Sequence, residues 1–271
     1  MIYQEGDLII SGSSRGLRYG DGLFETMKCK NNHLLSAQQH FARLWKGLET
    51  LQFDIPKHFT SVYLEQQIHS LIKKNGQEDA VRIRLNIFRS DGGLNDPKDN
   101  LPNYIIETWD LSADAGKWNS NGLILSIYNE VKKSCDILSN LKHNNYLPSV
   151  MAALYAKKQK VNDVLVLNSF NRICESSIAN VFLIKEEVIY TPPLSEGCVA
   201  GILRNFLIEQ LDGECFMLKE KIITPEDVMN ADEIFLTNSI TNIRWVKQIG
   251  NKEFTNKLTQ KIYTAIISKI L

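Results

Sequence analysis

The sequence predicts an α/β (α+β) protein built as two layered domains joined by a short polar linker. Three observations lead there. Strand-period and helix-period segments mix without strict β-α alternation. A Ser-, Asn-, Gly- and Asp-rich stretch, LSADAGKWNSNG, interrupts them at Leu111–Gly122. The 271 residues suffice for one large core or two modest ones. The small N-terminal domain is placed at residues 1–113 and the larger domain at 119–271, with the linker at about 111–122.

In the first half, the runs LIIS and GLFETMKC read as short strands. In AQQHFARLWKGLETLQF the residues Ala37, Phe41, Leu44, Leu48 and Leu51 repeat at helical spacing, and a second helix is predicted over Ser61 to Lys73. Ala80 to Phe88 alternates as a strand, and Asn103 to Trp109 is another. In the second half, Leu123 to Tyr128 reads as a strand. Pro148 to Gln159 reads as a helix with proline in its first turn and Asn144 and Asn145 in its cap region. A hairpin follows, with arms VLVLN and ICESSIANVFLI around Ser169 to Arg172. Ile202 to Leu211 is helical, Glu233 to Thr237 a strand and Asn256 to Ile270 a closing helix.

Composition narrows the function classes. With 31 basic and 31 acidic residues, nothing points to nucleic acid or an anionic membrane surface, and a small-molecule ligand is the default. The start MIYQEGDLIISGSSRG lacks the basic, apolar and small-residue succession of a signal peptide, and no apolar run is long enough for a bilayer. A cytoplasmic location is expected. Cys29, Cys135, Cys174, Cys198 and Cys215 are odd in number and scattered, which suits small buried hydrophobes better than disulfides or zinc. His33, His40, His58, His69 and His143 show no paired ligand spacing, so no metal is predicted.

Four constellations could carry chemistry. Lys142, just before a helix, reads either as a solvated loop lysine or as an amine that forms an imine with an aldehyde cofactor. Glu175 shares a strand face with Ile173, Ser177, Ala179, Val181 and Leu183. A carboxylate there needs a partner, either an internal arginine or a protonated pyridine nitrogen, unless a bulge turns it to solvent. The helix start in EGCVAGILRNFL and the turn in FLTNSITNIRWV could each cradle an anion, or each serve only their own backbone. Arg43 lies opposite the apolar stripe of its helix, as a solvated residue would. Arg89, at a strand end before a glycine pair, is placed to reach a carboxylate or phosphate.

These pieces stand in the order of a known family. Tyr19-Gly20-Asp21-Gly22-Leu23-Phe24-Glu25, His40-Phe41-Ala42-Arg43-Leu44, Lys142, Glu175 to Phe182 (ESSIANVF), Gly201 to Arg204 (GILR) and Thr237 to Ile240 follow one another in this chain. It thereby resembles the class IV aminotransferases, pyridoxal-phosphate enzymes of fold type IV, from about Gly16 to Trp245. The resemblance implies a small N-terminal α/β domain and a larger C-terminal α/β pseudo-barrel domain. It implies pyridoxal 5'-phosphate joined to Lys142, with Glu175 at the ring nitrogen and Val199 on the ring face. Arg43, Asn238, Ser239 and the N–H groups of Ile202, Leu203 and Ile240 would hold the phosphate. Phe24 and Arg89 would line the substrate pocket. A homodimer is implied, acting on a small-molecule amino substrate, with the partner's small domain lining the pocket.

Within that family, Phe24-Glu25-Thr26, the Lys142-His143 pair and the short chain look most like 4-amino-4-deoxychorismate lyase, which releases pyruvate and 4-aminobenzoate for folate synthesis. Amino acid aminotransferases of the D-amino-acid or branched-chain type are the alternative. Leu94-Asn95-Asp96 stands where the lyases often carry a second arginine. A binding module without catalysis on the same fold is the rival from outside the enzymes, and retention of Lys142 and Glu175 argues against it.

Overall fold

A computed structural model describes residues 10–77, 79–112, 114–211 and 216–270, with side chains as far as residue 266. The strand expected at LIIS begins at residues outside this set, as does Cys215. The chain forms two compact units, Met1–Ala115 with Leu141–Asn145, and Gly116–Asn140 with Tyr146–Leu271.

The first unit runs α1 (Arg15–Tyr19), β1 (Gly22–Lys30), β2 (His33–Leu34), α2 (Ala37–Thr50), α3 (Ser61–Lys74), β3 (Ala80–Arg89) and β4 (Pro102–Asp110). Its antiparallel sheet has the order β2-β1-β3-β4. Period two puts Leu23, Met27 and Cys29 of β1 on one face, opposite Ile87, Ile83 and Val81 of β3. Phe41, Leu44 and Leu48 of α2 and Leu64, Ile68, Leu71 and Ile72 of α3 join that face in one buried cluster. Each of these side chains contributes about 2 kcal/mol by leaving water. Thr60 caps α3 by accepting the Tyr63 N–H at 3.1 Å.

The second unit runs β5 (Leu123–Lys133), α4 (Leu147–Gln159), β6 (Asp163–Asn168), β7 (Ile173–Ser176), β8 (Asn180–Lys185), β9 (Val188–Thr191), α5 (Ile202–Leu211), β10 (Met217–Glu220), α6 (Pro225–Asn230), β11 (Glu233–Asn238), β12 (Asn242–Ile249), β13 (Lys252–Glu253) and α7 (Lys257–Ile270). Its mixed sheet has the order β10-β9-β8-β11-β12-β5-β6-β7, with β13 on β12. β7 closes one edge of that order, yet only Ser177–Ala179 separates it from β8 near the other edge. So short a connection requires the sheet to curl, which gives the half-barrel. All six residues of β6 are buried, as a strand covered on both faces demands.

Two local expectations differ from what forms. The single hairpin arm ICESSIANVFLI divides into β7 and β8, because Ser176 N–H bonds Ala179 O at 2.8 Å and Ser177 turns its N–H and hydroxyl to Asp163. The N-cap of α4 is Tyr146, not Asn144 or Asn145. Those carboxamides donate instead to Ile87 O and Gly20 O, and their segment groups with the first unit rather than with residues 119–271. No helix of the described residues is long and apolar enough to cross a membrane.

Candidate active site

In the first unit, the Leu141–Asn145 segment is tied to β1. Phe24 N–H donates to Lys142 O at 2.8 Å, Asn144 N–H donates to Gly22 O at 2.9 Å, and Leu23 and His143 form a bridge. Gly22 is required there, since a Cβ would lie 2.1 Å from Ile87 O. Lys142 is thereby held at a fixed point, with its Nζ 4.5 Å from the centre of the Phe24 ring. Arg84 of β3 stacks on the same ring at 4.1 Å.

Arg43 is not a solvated residue. Its Nε and Nη2 donate to the two oxygens of Glu25 at 2.8 and 2.6 Å, and His40 Nδ1 meets Glu25 Oε2 at 2.7 Å. Glu25 is 1 % exposed. Burial alone would raise its carboxyl, but Arg43 and His40 outweigh that and hold it at about 2. Glu25 and His40 were missed in the sequence. The signal lay in the β1 alternation, which puts Glu25 on the core face with Leu23 and Met27, where a carboxylate needs partners.

Arg89, expected to line the substrate pocket, spends its donors on neighbouring groups of its own unit. Arg89 is 7 % exposed and donates to Asp21 Oδ2 at 2.9 Å, Gln52 O at 3.2 Å, Asn100 Oδ1 at 3.0 Å and Leu51 O at 2.5 Å. It also packs on Phe53 at 4.2 Å. Four of its five donors serve the fold, because the strand end that looked open is roofed by the chain after α2.

In the second unit, Glu175 on β7 is 5 % exposed. Its Oε2 accepts the Val199 N–H at 2.9 Å, and its Oε1 is ion-paired with Lys133 at the end of β5. Asn180 Nδ2 holds Val199 O at 2.9 Å. Asn180 also lies against Gly201, where a Cβ would fall 1.9 Å from its Oδ1, so only glycine fits before α5. The N–H groups of Ile202 and Leu203, at the start of α5, have no acceptor among the described residues.

The turn after β11 differs from expectation. Ile240 N–H, assigned to a phosphate, donates instead to Asn238 Oδ1 at 3.0 Å, which also takes the Thr241 N–H at 2.8 Å and its hydroxyl at 3.0 Å. An Asn side chain closes such a turn on its own backbone. Ser239 follows Asn238 in that turn. The neighbouring Thr237 hydroxyl is buried without a hydrogen-bond partner.

A buried carboxylate, a helix start with two open N–H groups and an orphaned hydroxyl fit a phosphorylated pyridine, the group the resemblance implies. Cys29, Cys174 and Cys198 are buried free thiols, and Cys135 is half-buried. Burial pushes the Cys198 thiol up to about 12. Among the described residues, no three His, Cys, Asp or Glu side chains gather as metal ligands.

The aminodeoxychorismate lyase of Vibrio harveyi is 29 % identical over 241 residues, 88 % of this chain and 87 % of that protein. The D-alanine aminotransferase of Bacillus licheniformis is 24 % identical over 281 residues, covering 100 % of this chain and 95 % of its own. The crystal structure of 4-amino-4-deoxychorismate lyase from Pseudomonas aeruginosa superposes with a TM-score of 0.85 at 25 % identity, over 97 % of this chain and 96 % of that one. The family model for amino-transferase class IV matches residues 22–249, and the chain belongs to that family.

Proposed function

We propose that this chain is a pyridoxal 5'-phosphate enzyme with the activity of 4-amino-4-deoxychorismate lyase, releasing pyruvate and 4-aminobenzoate. The observation that carries the choice is the pair of cations on Phe24. Lys142 is the reacting amine, and Arg84 has no ion-pair or hydrogen-bond partner among the described residues. Arg84 therefore suits a carboxylate on the same substrate, remote from its amine. 4-Amino-4-deoxychorismate, with a ring amine, a ring carboxylate and an enolpyruvyl carboxylate, offers a partner to each cation. The likeness to the Vibrio harveyi lyase supports the same choice.

When bound, pyridoxal phosphate supplies an aldehyde for Lys142 and a conjugated ring that accepts the electron pair of a broken C–H bond. Lys142 Nζ would serve as the base that takes the proton from the carbon bearing the substrate amine. Glu175, fixed by Val199 N–H and Lys133, holds the proton at the ring nitrogen. The N–H groups of Ile202 and Leu203, with the Ser239 hydroxyl, bind the phosphate. Transamination by the same residues is the second reading, favoured by the likeness to D-alanine aminotransferase. A homodimer goes with either.

The test is direct. Protein loaded with pyridoxal phosphate should show the absorption band of a lysine-bound cofactor, and Lys142→Ala should lose both band and turnover. Offered 4-amino-4-deoxychorismate, the wild type should form 4-aminobenzoate and pyruvate. Amino exchange between amino and keto acids without 4-aminobenzoate would replace the lyase reading by the transaminase one.

A further inference from the structure

Lys133 answers to none of the sequence motifs, yet it makes the closest contact of Glu175. The pairing of β5 with β6 is irregular just before it. β5 advances from Tyr128 to Lys133 while β6 advances only from Val166 to Asn168. Such an irregularity re-aims side chains, and here it delivers a lysine into the interior of the second unit. The side chains of Lys133 and Glu175 are 14 % and 7 % exposed. Burial would strip the ammonium of its proton, but the Glu175 charge outweighs it and holds the proton on. Glu175 Oε2 faces a neutral amide, the Val199 N–H, so its compensating charge comes from Lys133 on Oε1.

We propose that Lys133 is a positioning residue: it is the counter-ion that keeps Glu175 a carboxylate, oriented for the cofactor's ring nitrogen, before any cofactor arrives. The inference rests on the cofactor reading above. A buried carboxyl with one N–H donor and no cation takes up a proton instead. It must then release that proton to hold a protonated ring nitrogen, and binding weakens as the pH falls. With Lys133 present, that penalty is absent. The other titratable groups around the pair do not replace it. Cys174 on β7 and Cys198 before Val199 are thiols that burial pushes up and keeps neutral. Tyr146 at the head of α4 is a phenol, and Arg204 of α5 acts on Cys198.

The experiment uses cofactor-free protein and pyridoxamine 5'-phosphate, which has no aldehyde and so leaves Lys142 chemistry out. Its Kd is measured by calorimetry from pH 8.5 to 6, and each variant is expressed as a ratio to wild type, which removes the ligand's own titration. For Lys133→Met, and for Lys133→Gln should the first fold poorly, the ratio should grow tenfold or more as the pH falls. Lys133→Arg should hold it flat. In a Glu175→Gln background, Lys133→Met should add no pH dependence. A ratio that is the same at every pH, or that grows equally for Lys133→Arg, overturns the proposal while the cofactor reading stands. A wild type that does not bind pyridoxamine phosphate at all overturns both.

Discussion

Acid should weaken this protein through Glu25, and the size of the effect follows from its surroundings. The carboxyl is held at about 2 in the folded chain against an ordinary 4.5. A group lowered in this way adds stability above its unfolded value, and loses that contribution as the pH falls through the folded one. The gap corresponds to about 3 kcal/mol at neutral pH, of which roughly 2 kcal/mol is gone at pH 3. Glu25→Gln keeps the shape and removes the charge, leaving Arg43 and His40 against a neutral amide. Urea unfolding at pH 7 should show the variant less stable by about 3 kcal/mol, the usual scale for one partner lost from a buried pair. Repeated at pH 3, the difference should shrink by about 2 kcal/mol, because the wild type has by then lost most of the same interaction. Two stability curves that run parallel from pH 7 to pH 3 would refute the reasoning, since they would mean that Glu25 is not the group being titrated.

The remaining predictions concern two residues that hold the site's framework. Arg89→Lys should lower stability by about 3 kcal/mol, because one ammonium cannot satisfy Asp21, Gln52, Leu51 and Asn100 together. Thermal melting would read this with KM nearly unchanged; a large rise in KM at full stability would restore Arg89 to substrate binding. Gly201→Ala should force Asn180 off Val199 O and cost about 1–3 kcal/mol, with weaker pyridoxal phosphate binding seen in a titration. Wild-type affinity and melting temperature in that variant would show that the turn does not depend on glycine.

Elements with strong period were legible from residue order alone. Ala37–Thr50, Ser61–Lys74 and Ala80–Arg89 form as their apolar spacing predicts, because each buries one face and the face is written at intervals of three and four or of two. The burial of Glu175 was legible for the same reason. Its partner was not: Lys133 lies 42 positions away and reaches it through an irregular strand pairing that no local pattern announces. Likewise periodicity read Arg43 as solvated and the resemblance gave it to a phosphate, and neither could see that Glu25 of a neighbouring strand faces it.

The sequence by itself determined the periodic elements and the order of the motifs, because these rest on local spacing, and the resemblance those motifs carry pointed to the family that the family model matches. Only the tertiary structure decided which side chains meet. It turned Arg89 inward, closed the Asn238 turn on itself, grouped Lys142 with the first unit and put Lys133 on Glu175. The physical reason is that a buried charge takes whichever partner the packing brings within hydrogen-bond reach, and distance along the chain carries no record of that choice.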